Sequence, residues 1–182
     1  LINVMQKAST YASRGMLRDF GEVENLQVSR KGPADFVSRA DINAERTIRK
    51  ELSKARPDWG FLMEEGGVIE GSDPDAPVWV IDPLDGTTNF LHGIPHFAIS
   101  IAVMETDTQG RKVITAASVF DPVKNEFYSA ERGKGAYLNE RRLRVSGRRS
   151  MAESLFGTGI PFLGRGSDED HDAFVKQLAK IM

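Results

Sequence analysis

Residues 79–90 read WVIDPLDGTTNF, and the fold turns on how they are interpreted. Val78 and the three residues after it form a near-continuous apolar run, the pattern of a central strand covered on both faces. The run gives way abruptly to Asp82-Pro83, so the strand hands an acidic residue to a loop. Pro83 stiffens the turn, which lets Asp82 and Asp85 curl toward one point with the carbonyl of Leu84 free between them as a further oxygen ligand. Gly86-Thr87-Thr88 follows. If a short helix starts there, its first backbone N–H groups are unsatisfied and suit an anion such as phosphate.

Upstream, Phe61-Leu62-Met63 is a short apolar run between Gly60 and Glu64, long enough only for a buried strand that delivers Glu64 and Glu65 at its end. The opening residues place Ile2, Met5, Ala8, Ala12 and Met16 at helical spacing, with Gly21 as the expected stop. Lys31-Gly32-Pro33 reads as a turn and Phe36-Val37 as an extended piece. Asp41 then stands as an N-cap, with Glu45 in the following turn of a second helix over about 42–54 that Pro57 ends. Residues 66–77 read as a loop. Downstream, residues 97–104, 113–120 and 126–130 alternate or run apolar between turn residues, which predicts an antiparallel meander. Residues 154–157 read as a short strand, and a final helix is expected from about Asp168 to the end of the chain.

Composition excludes several classes. Among 182 residues, 24 Lys and Arg against 26 Asp and Glu leave a net charge of −2, with no global field for nucleic acid or an anionic membrane. The longest apolar stretch, residues 97–104, is far below the roughly 20 residues a bilayer span needs. With no cysteine there is no disulfide, thiolate zinc site or cysteine nucleophile, a composition that suits the reducing cytoplasm. Oxygen and nitrogen ligands remain.

Glu64, Glu65, Asp82 and Asp85, with Asp41 upstream, are the densest polar constellation in the chain. Carboxylates converging at strand ends repel one another unless a hard cation lies between them, and magnesium is the natural occupant. Cations beside a phosphate-binding turn favour attack of water on a phosphate ester. Either half of the constellation alone is equally a loop cap or a solvated strand end; the combination argues for a site.

The stretch 79–90 resembles the first signature of the inositol monophosphatase family. The likeness extends through DFVSRAD (35–41), FLMEEG (61–66), HGIPHFAISIAV, the DPVKNEFYSAERGKGAYLN hairpin and GTGIPF. It implies a layered αβαβα sandwich of the inositol monophosphatase and fructose-bisphosphatase type, and hydrolysis of small phosphate monoesters, first of all myo-inositol monophosphate, with two or three Mg2+ ions. It implies that Glu64, Asp82, Asp85 and the carbonyl of Leu84 ligate metal and that the backbone of Gly86 and Thr87 holds the phosphate. Glu64, Leu84 and Asp85 also border the substrate in this resemblance. Asp41 hydrogen-bonds Thr87 and, with Glu64 and Thr87, orients or deprotonates the attacking water, while Glu65 supports from behind. Lys31, or Arg30 if the alignment slips by one, approaches the phosphate. Relatives with the same first motif act on fructose bisphosphate, adenosine 3′,5′-bisphosphate or histidinol phosphate. A homodimer, lithium sensitivity and a cytoplasmic location follow from the same likeness.

One departure stands out. The family's second signature, a Trp-Asp-x-Ala-Ala-Gly-like segment whose Asp completes the second metal site, occurs nowhere in these residues. Residues 1–182 are therefore expected to form a single incomplete phosphatase domain, its metal- and phosphate-binding lobe, with the C-terminal part absent.

Rival motifs weigh less. An Asp-x-Asp phosphatase that forms a phospho-enzyme needs its acids two apart, whereas Asp82 and Asp85 are separated by Pro83 and Leu84. Asp168, Asp170 and Asp172 imitate a calcium loop but Ala173 stands where Gly is required, so they read as helix N-terminal charges. Gly93 and Pro95 forbid a helix that would pair His92 with His96 on a metal. Arg141, Arg142, Arg144, Arg148 and Arg149 are the one basic cluster, a solvated edge or, in a non-catalytic reading, a scaffold for RNA or protein.

Overall fold

The computed structural model describes residues 1–26, 33–159 and 167–181. It comprises two compact units, Leu1–Leu143 and Arg144–Met182.

In the first unit, the helical spacing of Met5, Ala8, Ala12 and Met16 produces α1 (Ile2–Leu26). The helix runs through Gly21, where a stop was expected. Glycine inside a helix costs about 1 kcal/mol, and burial of Val23 two residues on outweighs it at about 1.5–3 kcal/mol. Helix α2 (Pro33–Ala55) opens on a proline, whose missing N–H is no loss at a first helical position. Phe36 and Val37 lie within it, and Asp41 is interior rather than an N-cap. The apolar stripe explains this correction: Ala40, Ala44, Ile48 and Leu52 are all buried, so the stripe begins before Asp41 and the helix must include it.

Both helices pack on one sheet built of β1 (Gly60–Met63), β2 (Gly67–Ile69), β3 (Val78–Asp85), β4 (Ala98–Thr106), β5 (Lys112–Asp121), β6 (Glu126–Glu131), β7 (Gly135–Leu138) and β8 (Arg141–Arg142). Its order is β2-β1-β3-β4-β5-β6-β7-β8. The β1–β3 pairing is parallel and the rest antiparallel. Strand β2 occupies part of the expected 66–77 loop: Gly67, at φ 67°, closes a tight turn that folds it back on β1. The expected meander is present and two strands longer than anticipated, through β7 and β8.

Register shows which face is the core. Phe61, Trp79, Val103 and Ala116 are cross-strand neighbours, as are Met63, Ile81, Ile101 and Ser118, and all are buried against the helices. The opposite face carries a ladder of Leu62, Val80, Ala102, Ala117, Ala130 and Ala136, partly or fully exposed. A short helix α3 (Thr87–Leu91) follows β3. It is pinned by Phe90, whose ring centroid lies 5.4 Å from Phe20 and 5.0 Å from Phe97.

Among the described residues the second unit holds a 3-10 turn at Met151–Glu153 and helix α4 (Asp168–Ile181). Residues 154–157, expected as a strand, have no ladder partner among the described residues and are exposed, so nothing offsets the cost of ordering them as one. Helix α4 starts with reciprocal caps: the Asp170 N–H donates to Ser167 Oγ at 3.2 Å, and the Ser167 N–H donates to Asp170 Oδ2 at 2.8 Å. The acidic run is thus a helix start, as its spacing predicted.

Candidate active site

The acidic residues meet at the ends of the neighbouring strands β1 and β3, and the device that assembles them is a β-bulge. Asp82 pairs with Ser100 and Asp85 with Ala98, so three steps along β3 face two along β4. Strand side chains alternate, and residues three apart normally point to opposite faces. The extra residue restores Asp85 to the face of Asp82, the one turned away from α1 and α2. Pro83 sits inside the bulge, where a missing N–H breaks no ladder bond. Leu84 is fully buried and donates its N–H to Asp82 Oδ1 at 3.1 Å. The sequence reading had Asp82-Pro83 ending the strand; instead β3 continues through Asp85.

Glu64 follows β1 on that same face, its N–H donating to the Ile81 carbonyl at 3.3 Å. Its carboxylate lies within hydrogen-bonding reach of Asp82. Burial, the Glu64 charge and contact, and the Asp85 charge together push the Asp82 carboxyl up to about 6, against the opposing pull of the Leu84 N–H. From the helix side comes Asp41, only 4% exposed, with Oδ1 buried and lacking a hydrogen-bond partner. Burial first, then the charges of Glu65, Glu64, Asp82 and Glu45, raise it to about 7.

Glu45 is the residue that sequence reasoning placed only as a neighbour of a cap. It is 7% exposed, and its Oε2 accepts the Glu65 N–H at 3.0 Å. A Cβ on Gly66 would lie 2.8 Å from Glu45 Oε1, so the turn after β1 is moulded round this carboxylate. The signal was present: Glu45 follows Asp41 by one helical turn and shares its face.

Gly86 turns the chain from β3 into α3 at φ 94° and ψ 32°. A Cβ there would also meet the His96 carbonyl at 2.9 Å and Phe97 Cα at 3.2 Å. The Thr87 hydroxyl donates to the Leu84 carbonyl at 3.0 Å, rather than to Asp41 as the resemblance implied. Asn89 Nδ2 donates to the His96 carbonyl at 2.8 Å and closes the loop that follows α3.

The donor set suits a hard divalent cation. Three carboxylates share one face at one end of the sheet, the Leu84 carbonyl retains a lone pair beside them, and the orphaned Asp41 oxygen stands behind. Among the described residues no three acids or histidines are drawn round a single point. Glu64 and Asp82 are brought together; the charge of Asp85 acts on Asp82, and the charges of Glu64 and Asp82 act on Asp41. Lys31 and Arg30 lie outside the described residues. His92 caps the end of α3 and His96 lines the adjoining cavity. The five arginines of the basic cluster are exposed. No helix among the described residues is long and apolar enough to cross a membrane.

The profile of the inositol monophosphatase family matches residues 1–179. The inositol-1-monophosphatase of Rhizobium meliloti (strain 1021) is 56% identical over 182 residues, which is all of this chain and 65% of that protein. The Nus factor SuhB of Pseudomonas aeruginosa is 47% identical over 163 residues, 89% of this chain and 58% of that protein. The crystal structure of the extragenic suppressor protein suhB from Bartonella henselae, 48% identical, superposes with a TM-score of 0.81 over 99% of this chain and 65% of that one. The chain thus spans about 65% of the length of these inositol-1-monophosphatase relatives. Solved structures of this kind share its mixed α/β architecture of helices on a central sheet.

Proposed function

The chain belongs to the inositol monophosphatase family, and from that premise we propose that it carries the metal- and phosphate-binding part of a magnesium-dependent phosphomonoesterase acting on myo-inositol monophosphate. The observation that supports this most is the bulge in β3, which sets Asp82 and Asp85 on one face beside Glu64. In a merely structural turn nothing would favour gathering like charges at such electrostatic cost.

In this reading Glu64, Asp82, Asp85 and the Leu84 carbonyl hold two or three magnesium ions, which when bound supply positive charge to the phosphoryl oxygens and acidify water. The backbone N–H groups of Gly86 and Thr87 hold the phosphate. Asp41, buried behind the cluster with one carboxylate oxygen lacking a partner, takes the proton of the attacking water in this reading. Glu64 and the Thr87 hydroxyl orient that water, and Glu65, fixed through its backbone by Glu45, supports the cluster. A homodimer in the cytoplasm, inhibited by lithium, completes the reading.

The test is phosphate release by the full-length protein from myo-inositol 1-phosphate, fructose 1,6-bisphosphate and adenosine 3′,5′-bisphosphate, with and without magnesium. Magnesium-dependent release favouring the inositol ester is expected, and Asp82→Asn should lower it on the order of 100-fold or more by removing a metal-binding charge. Undiminished activity in that variant refutes the site. Release from none of the esters would favour a second reading, a scaffold using Arg141, Arg142, Arg144, Arg148 and Arg149, which is supported by relatives that bear the name Nus factor.

A further inference from the structure

Helix α2 keeps its charges apart. Over residues 39–55 its three acids, Asp41, Glu45 and Glu51, are buried, while Arg39, Arg46, Arg49, Lys50 and Lys54 are exposed. Arg39, Arg46 and Lys50 follow the i, i+7, i+11 spacing that aligns side chains in one row along a helix. In α1, Lys7, Arg14 and Arg18 repeat that spacing and are likewise exposed. Each row is about 16 Å long at 1.5 Å per residue. The two helices pack along each other, and the Lys7–Glu51 ion pair joins the start of α1 to the end of α2. The rows therefore lie side by side on the helix layer, turned away from the sheet, with about 8–10 Å between the helix axes. The net charge of −2 hides this basic face, because the balancing acids lie on the inner side of α2 and at the strand ends that carry Glu64 and Asp82.

A helix face left to water alone mixes the two signs, so that i, i+4 neighbours attract. Here Arg14 and Arg18, and again Arg46 and Lys50, are like-charged i, i+4 neighbours that destabilise the helices bearing them. Lys7 is paired with Glu51 and Arg18 with Asp19, but Arg14, Arg46 and Lys50 have no carboxylate partner among the described residues. The charge calls for a polyanion. The cationic heads of Lys7 and Arg14 stand 5.5 and 5.1 Å from the Tyr11 ring centroid, which leaves that ring no free platform for stacking single-stranded bases. The apolar stripes of both helices are buried in the core, so no apolar face remains to enter a bilayer. Two adjacent rows of cations instead match the phosphates of paired strands, whatever their sequence. We infer that the outer face of α1 and α2 binds the phosphate backbone of a nucleic-acid duplex, with Arg14, Arg46 and Lys50 as its principal contacts. This face lies on the side of α2 opposite Asp41 and uses none of the arginines at 141–149, so binding here stands or falls apart from either functional reading above.

The experiment measures, by fluorescence anisotropy, binding of the full-length protein to RNA and DNA duplexes of about 20 base pairs and arbitrary sequence, between about 50 and 200 mM salt. Affinity should fall with salt at a log–log slope of about −3 to −5, as for roughly three to five phosphate contacts. Arg46→Gln combined with Lys50→Gln should lower affinity about tenfold at the low-salt end and flatten the slope by about two, whereas Arg148→Gln combined with Arg149→Gln should change neither. Binding of one duplex type alone supports the face and identifies its target. Failure to bind either duplex overturns it, as does wild-type affinity in an Arg46 and Lys50 variant that melts like the wild type, or a loss confined to the Arg148 and Arg149 variant. Preference for phosphatidylserine vesicles or for single strands over duplexes overturns it too. If the Arg46 and Lys50 variant melts below the wild type, Arg14→Gln combined with Arg18→Gln takes its place; it should flatten the slope in the same way, and an unchanged slope there overturns the face.

Discussion

Asp41→Asn should make the metal-free protein more stable, and only above acidic pH. The carboxyl of Asp41 is raised from 3.8 to about 7 by burial and by Glu65, Glu64, Asp82 and Glu45. Its folded pKa lies above the unfolded one, so whatever stability it lends is fully present below pH 3.8 and is lost as pH rises toward about 7. A shift of this size corresponds to about 4 kcal/mol at 1.36 kcal/mol per pKa unit. Solvent around the exposed Glu64 and Glu65 screens part of it, leaving roughly 2–3 kcal/mol. Asparagine has nearly the same shape and no charge to titrate. In thermal melts with EDTA the variant should match the wild type near pH 4 and exceed it by about 4–12 °C at pH 8, at about 2–4 °C per kcal/mol. A difference that stays constant from pH 4 to pH 8 would show that Asp41 is not held among like charges and would sink the electrostatic account of the cluster.

Two further substitutions probe how the cluster is held. Glu45→Ala removes the buried carboxylate that accepts the Glu65 N–H of an exposed turn and should cost about 0.5–1.5 kcal/mol in denaturant unfolding, whereas an unchanged midpoint would mean that the turn after β1 is self-supporting. Gly86→Ala combines a left-handed backbone with a Cβ placed 2.9 Å from the His96 carbonyl; it should cost at least about 1–3 kcal/mol and depress phosphate release, and wild-type behaviour in both assays would contradict the strained turn.

The strand and helix around the acidic motif were legible because local signals agree there: an apolar run, a proline, a glycine and two threonines point the same way. The bulge was not legible. Whether Asp85 shares a face with Asp82 depends on their pairing with Ala98 and Ser100 in β4, and register belongs to both strands rather than to one. Asp41 was misread for the opposite reason. Its residue type suits an N-cap, but Ala40 and the stripe after it bury the helix on both sides of that position, and packing overrides the local preference. Gly21 belongs to the same class, since its neighbour in the core is Val23 and not the residue next to it. Glu126 and Tyr128 lie in a hairpin that carries part of the family likeness, but only the pairing of β4, β5 and β6 brings them to the cavity beside Asp85.

The parallel pairing of β1 with β3 has a kinetic consequence. The ladders from β4 to β8 join strands that follow one another in the chain, and such hairpin contacts close short loops. The β1–β3 seam closes a longer loop and needs β1 to arrive in register from beyond it, so it forms late. Asp41, Glu64 and Asp82 meet across that seam and the helix packed on it. Their mutual repulsion is therefore felt by the finished protein and little by the barrier that precedes it. A cation that quiets the repulsion acts on the exit from the native state: it lengthens the lifetime of the folded chain while leaving the rate of folding almost untouched.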